Sequence, residues 1–180
     1  MMDAAGGKVP QSMDGKSLLP LIQGKTTEHR EKAYFMHNNR HDARKQDPCF
    51  ALRAVNDGRY KLIWNLTPGN MYATTNINGL DYGNVNKNAR ATEIYKSWLA
   101  AAESDPQAKR LLERIRHYPE FQLFDLEQDP WELNDLASNP EYQTKVLELK
   151  AAIADWMKQQ GDDGNLEGEG ILYKDTGFEA

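Results

Sequence analysis

The densest group of side chains able to bind or exchange charge is the run His37-Asn38-Asn39-Arg40-His41-Asp42. Its imidazoles and guanidinium can recognise an anion or a sugar hydroxyl through charge-assisted hydrogen bonds. The run follows an apolar stretch, and loops at strand ends often carry binding groups because the sheet behind them is rigid. An ordinary solvated turn would use the same residue types, and the sequence leaves both readings open. His37, Asn38, Arg40 and His41 are therefore the candidate substrate-binding residues. A metal fits them less well, since His37 and His41 would need two further ligands that the sequence does not identify. Arg114, Arg116 and His117 form a second basic group, but at a helix end, where cations favour the negative pole of the dipole. That structural role outweighs substrate binding. Cys49 is the only cysteine, which excludes an internal disulfide and a thiolate metal cluster. Asn65-Leu66-Thr67 has the form of a glycosylation acceptor. Trp98, Trp131 and Trp156 read as core anchors and not as sugar-stacking platforms, because buried aromatics dominate small cores.

The elements that must position these groups follow from periodicity. Residues 1–32 are a linker-like lead-in, with glycines, Pro10 and Pro20 around the short apolar piece Leu18-Leu19-Pro20-Leu21-Ile22. Ala33 to His37 is a first strand. Cys49 to Asn56 is a second, with Phe50, Leu52 and Ala54 on one face and Ala51, Arg53 and Val55 on the other. Arg59 to Leu66 is a third, with Tyr60, Leu62, Trp64 and Leu66 opposing Lys61, Ile63 and Asn65. Alternation of this kind marks a strand with one buried face. Asn56-Asp57-Gly58 lies between the last two, and these residue types accept a tight turn, so the pair forms an antiparallel hairpin.

Residues 67–90 are a long polar connection of the sort that is often functional or mobile. Helices follow over Thr92–Glu103 and Pro106–His117, the second capped by Asp105. Phe121 to Leu126 is a fourth strand, closed by Gln128-Asp129-Pro130. A final helix runs from the cap Asn139 to Gln160, with Tyr142, Val146, Leu149, Ile153 and Trp156 in one apolar stripe and Gly161 as its stop. The fold expected is α+β: a small antiparallel sheet of about four strands packed against a long C-terminal helix, with a helical insertion before the last strand. The organisation expected is a lead-in over 1–32, the subdomain proper over 33–160 and an acidic tail over 161–180. Within the tail, Ile171-Leu172-Tyr173 is a candidate docking strand.

Composition limits the function classes. The chain is 39% hydrophobic and 27% charged, so it can build an ordinary core and is not a disordered sequence. A net charge of −5 with interspersed signs leaves no basic stripe for nucleic acid and no polybasic segment for a membrane surface. No apolar run approaches the roughly 20 residues of a membrane helix. The start, Met1-Met2-Asp3-Ala4-Ala5-Gly6-Gly7, lacks the basic head and apolar stretch of a signal peptide. It reads as the end of a longer helix, so a longer parent chain is expected.

Three segments carry a family resemblance. Met13-Asp14-Gly15-Lys16-Ser17-Leu18-Leu19-Pro20-Leu21-Ile22-Gln23-Gly24 resembles the stretch after the last portion of the catalytic domain in type I sulfatases. Leu52-Arg53-Ala54-Val55-Asn56-Asp57-Gly58-Arg59-Tyr60-Lys61-Leu62-Ile63 resembles that family's R-A-V-R-x-G-x-Y-K-L-I hairpin. Phe121 to Ala137, containing Leu123-Phe124-Asp125-Leu126, Asp129-Pro130, Glu132 and Asn134, is similar to its E-L-Y-D-L-x-x-D-P-x-E-x-x-N-L-A signature. The insertion ending Arg116-His117-Tyr118-Pro119 is similar to the sulfamidase branch, which acts on N-sulfated glucosamine.

The resemblance implies the C-terminal subdomain of a sulfatase, docked on a catalytic domain and closing one side of a cleft for a sulfated carbohydrate. It also implies a periplasmic, secreted or lysosomal setting. Such enzymes hydrolyse sulfate esters or sulfamates with a formylglycine and a divalent cation, calcium being the expected one. Both belong upstream of the matched region, so no catalytic residue, metal ligand or cofactor is expected in this chain, and alone it should be inactive. Cys49-Phe50-Ala51-Leu52-Arg53 does fit the formylglycine motif C-x-A-x-R. Its place at a strand start after Asp14-Gly15-Lys16-Ser17-Leu18 makes it a decoy, a small half-buried residue. Two alternatives stand beside this reading: an independent carbohydrate- or sulfate-binding module, and a purely structural interaction module.

Overall fold

The computed structural model describes residues 2–10, 13, 15–39, 50–70, 80–81, 84–85 and 89–164. They fall into two units, Met1–Ala33 and Tyr34–Ala180.

In the first unit the described residues make local turns, and none of them is buried. A 3-10 turn over Asp3–Ala5 ends at Gly6 in the left-handed region, φ +72°, and the Ser17 hydroxyl donates to Asp3 Oδ2 at 2.5 Å. Helix α1, Leu19–Ile22, is a single turn with Pro20 near its start. None of its residues is buried, and Val9, Met13, Leu18, Leu21 and Ile22 all stand exposed.

The second unit is built on a four-stranded sheet of order β1-β2-β3-β6, from β1 (Ala33–Asn39), β2 (Phe50–Asn56), β3 (Tyr60–Asn65) and β6 (Phe121–Asp125). β2 and β3 are antiparallel, with Val55 opposite Leu62 and Ala54 opposite Ile63. The turn between them is fixed by its own side chains. Asn56 Oδ1 accepts from the Gly58 N–H at 2.7 Å, and Asp57 Oδ1 accepts from the Tyr60 N–H at 2.7 Å. Gly58 sits at φ +101°, a conformation that only glycine adopts freely. β6 pairs antiparallel with β3, placing Leu123 opposite Leu62. Its outer edge is closed: the Leu123 N–H donates to Asp135 Oδ1 at 3.0 Å, and the Leu136 N–H donates to the Leu123 carbonyl at 2.8 Å.

The register sets the core. Val55, Leu62 and Leu123 stand side by side across three strands, and α4 (Gln143–Gln160) lays Val146, Leu149, Ile153 and Met157 on them. Each fully buried aliphatic side chain there contributes about 1.5–3 kcal/mol. Asn139 accepts from the Glu141 N–H, as a cap should, but the first turn, Pro140–Tyr142, is 3-10. Gly161, at φ +68°, ends α4, and the Asp162 N–H reaches back to the Met157 carbonyl. Trp156 stacks on Tyr34 with ring centroids 5.2 Å apart.

Between β3 and β6 lie a two-stranded hairpin, β4 (Leu80–Asp81) and β5 (Asn84–Val85), and two helices, α2 (Ala89–Ser104) and α3 (Pro106–Arg116). The hairpin falls inside the stretch read from the sequence as a long polar connection. α3 starts as expected, with Asp105 Oδ1 accepting from the Gln107 and Ala108 N–H groups. Ile171-Leu172-Tyr173 lies outside the described residues.

Two of the expected core tryptophans are not in the core. Trp98 is 40% exposed on α2, which packs against α3. Trp131 is 80% exposed because the turn that carries it is held from below by polar groups and leaves its ring in solvent. Replacing Trp131 with serine should therefore shift stability in urea by no more than ~0.5 kcal/mol. A larger loss would mean that the ring packs on something in solution.

Candidate functional site

Of the candidate binding residues, His37 and Asn38 end β1, while Arg40 and His41 lie outside the described residues, as do Asp42 and Cys49. Successive side chains on a strand point to opposite faces. His37 borders a hollow on the face of the sheet away from α4. Asn38 turns to the other face, where its Oδ1 accepts from Arg53 Nη1 at 2.8 Å. The strand thus separates these two neighbours.

Asn38 belongs to a polar cluster that sequence reasoning missed. Arg53 is 2% exposed, in the middle of an apolar strand. Its Nε donates to Asp162 Oδ2 at 2.5 Å and its Nη2 to Asp162 Oδ1 at 3.1 Å, a two-pronged pair that holds the residue after α4 against β2. A buried guanidinium needs such a partner, because an unpaired charge is costly away from water. The Asp162 carboxyl is held below the ordinary aspartate range, first by this pairing and further by the Gly164 N–H. A charge amid Phe50-Ala51-Leu52 and Ala54-Val55 was the available signal. Its partner, 109 residues away, was not.

The rest of the charge supports structure. Arg59 grips the buried Asp125 carboxylate through Nε and Nη2, the latter at 2.7 Å, joining the hairpin turn to the end of β6. This pairing lowers the Asp125 pKa. Asp129 is lowered too, because it accepts from the Leu133 and Asn134 N–H groups across the turn. Lys61 Nζ meets both Glu132 carboxylate oxygens at 2.9 Å, and the Glu132 carbonyl accepts from the Arg114 guanidinium. Glu132 has a positive φ of 55°, which these contacts sustain. Asn65, the glycosylation candidate, is 1% exposed. Its amide donates to the Tyr118 carbonyl at 3.0 Å and its Oδ1 accepts from the Thr67 N–H, so it cannot receive a glycan in this fold.

Among the described residues no three His, Cys, Asp or Glu side chains converge as a metal site requires, so that part of the chain does not fit the divalent cation. Nor, among them, is any helix long and apolar enough to cross a membrane.

The two faces of the sheet differ sharply. α4 seals one. On the other, Tyr118 packs edge-on against Phe50 and Arg114 lies over Phe124, each covering one corner. Between them Phe35, Leu52, Ala54, Ile63 and Leu126 line an open hollow of about 320 Å³.

Sheet, sealing helix and signature turns define a sulfatase C-terminal subdomain. Residues 1–99 match the family described as N-sulphoglucosamine sulphohydrolase, C-terminal, and the chain belongs to that family. Two ulvan-active sulfatases of Formosa agariphila are similar to it. One is 32% identical over 89% of this chain and 28% of its own length, the other 29% identical over 97% and 26%. The chain thus spans about a quarter of these relatives. The fold is shared with a 2-O GAG sulfatase, at a TM-score of 0.52 and 20% identity over 91% of this chain and 24% of that one. It is shared as well with a protein solved with its substrate D-glucosamine-2-N,6-O-disulfate, at a TM-score of 0.51 and 18% identity over 93% and 24%.

Proposed function

We propose that this chain works as the C-terminal portion of a sulfatase that removes sulfate from a sulfated carbohydrate. It supplies scaffold and one wall of the substrate cleft. The observation that carries the reading is the family match over residues 1–99, joined to two relatives named for activity on ulvan. His37, Asn38, Arg40 and His41 are the residues proposed to face substrate, where imidazole and guanidinium groups suit sulfate oxygens and sugar hydroxyls. The formylglycine and the divalent cation, which supply the nucleophile and neutralise the sulfate charge, are assigned to the catalytic portion. Within this chain Arg53 positions Asn38, while Arg59–Asp125 and Lys61–Glu132 hold the hairpin and the β6 turn in register.

The test is a chimera in which the chain replaces the matched quarter of the 32%-identical Formosa sulfatase. Sulfate release from ulvan by the chimera is expected, with none from the isolated chain. His37→Ala in the chimera should lower kcat/KM at least ~10-fold, since a lost hydrogen bond to a charged group costs about 1.5–3 kcal/mol. Sulfate release by the isolated chain, lost on Cys49→Ala, would overturn the reading.

A further inference from the structure

We infer that the buried Arg53–Asp162 pair locks the Asn38 side-chain amide one way round, with its NH2 outward as a fixed donor to an acceptor oxygen of the sulfated sugar; this rests on the function proposed above. Arg53 and Asp162 are then positioning residues that act on substrate through Asn38. A carboxamide has an acceptor at one end and donors at the other, and an exposed one can turn over. Asn38 stands exposed at the end of β1. It is nevertheless held, because a guanidinium donates and never accepts. Asn38 Oδ1 lies 2.8 Å from Arg53 Nη1, so the flipped amide would set N–H against N–H.

The guanidinium cannot give way either. Asp162 clamps its Nε at 2.5 Å and its Nη2 at 3.1 Å, and Nη1 also donates to the Leu52 carbonyl at 2.9 Å. Buried in the sheet, it has no solvent to swing into. With Oδ1 engaged, the free end of Asn38 is Nδ2, and no described residue accepts from it. A sulfate group offers acceptors only, so an amide fixed this way always meets it with the matching end. A freely turning amide would present its carbonyl oxygen as readily. Holding the end of α4 against β2 needs Asp162 alone. The further bond to an exposed amide sets the direction of one side chain.

The deciding variant is Asn38→Asp, which keeps the Oδ1 acceptor for Arg53 and loses the donor. A purely structural amide would tolerate it. In the isolated 180-residue chain it should melt within a few degrees of the parent or above it. In the Formosa chimera it should raise KM for ulvan at least ~10-fold and change kcat less than ~3-fold, the mark of a lost hydrogen bond that holds substrate before and during reaction. The second arm is Arg53→Met with Asp162→Ala, which removes both buried charges and so keeps much of the stability. Its KM in the chimera should still stand at least ~5-fold high, because nothing orients the amide. Adding Asn38→Ala to that pair should change KM by less than ~2-fold, since the three residues act in series. If Asn38→Asp itself melts low, the charge-free pair decides alone. A KM unmoved by a well-folded Asn38→Asp, or restored together with stability in the charge-free pair, overturns the inference and leaves the proposed function standing. An unsubstituted chimera that releases no sulfate removes both.

Discussion

Asp162→Ala is expected to destabilise the chain by about 3 kcal/mol, because it leaves the Arg53 guanidinium buried and without its carboxylate. For a chain of this size that is a fall in Tm of roughly 6–12 °C. The partner change that removes both charges, Arg53→Met with Asp162→Ala, should recover much of the loss, since the desolvation cost of the charge goes with it. Equal losses in the single and double variants would mean that the pair does not act as a unit. The same pair sets part of the acid limit. Asp162, Asp125 and Asp129 all have folded-state pKa values below their ordinary range, so between the two ranges the unfolded chain binds more protons than the folded one. Their stabilisation is therefore complete above about pH 4 and is lost as pH falls through the folded values. In the Asp162→Ala variant the acid transition should be shallower.

The second large effect lies in the core. Leu149→Ala removes a side chain that is 0% exposed between α4 and the Val55–Leu62–Leu123 row. The loss expected is about 3 kcal/mol, from lost transfer energy and the cavity left behind. Leu147, two residues away on the solvent side of α4 and 64% exposed, gives the matched control. Its replacement by alanine should shift the urea midpoint little, by ~0.5 kcal/mol or less. If the two variants behave alike, the face assigned to α4 is wrong.

How much of this was legible depends on the range of the interaction. The hairpin was readable because Asn56-Asp57-Gly58 closes it locally and period-two alternation marks a strand on either side. α4 was readable because its stripe repeats every three to four residues; only Met157 was missed from it. What could not be read was tertiary choice. Alternation in β2 separates Ala51, Arg53 and Val55 from Phe50, Leu52 and Ala54, but both sets are apolar apart from Arg53. The pattern therefore does not say which set meets the helix. Trp131 was misread for the same reason: a large apolar ring argues for burial, and only the polar fixing of its turn by Asp129, Lys61 and Arg114 keeps it outside. Of the candidate site, the sequence placed His37 at the end of the first strand and Asn38 in the polar run after it; their divergence follows only once the strand continues through both.

Asp135 and Leu136 take up the backbone of Leu123 on the outer edge of β6. A foreign strand approaching that margin meets a donor and an acceptor already engaged, so edge-to-edge recruitment is blocked there. The turn that follows the strand thus serves as its cover.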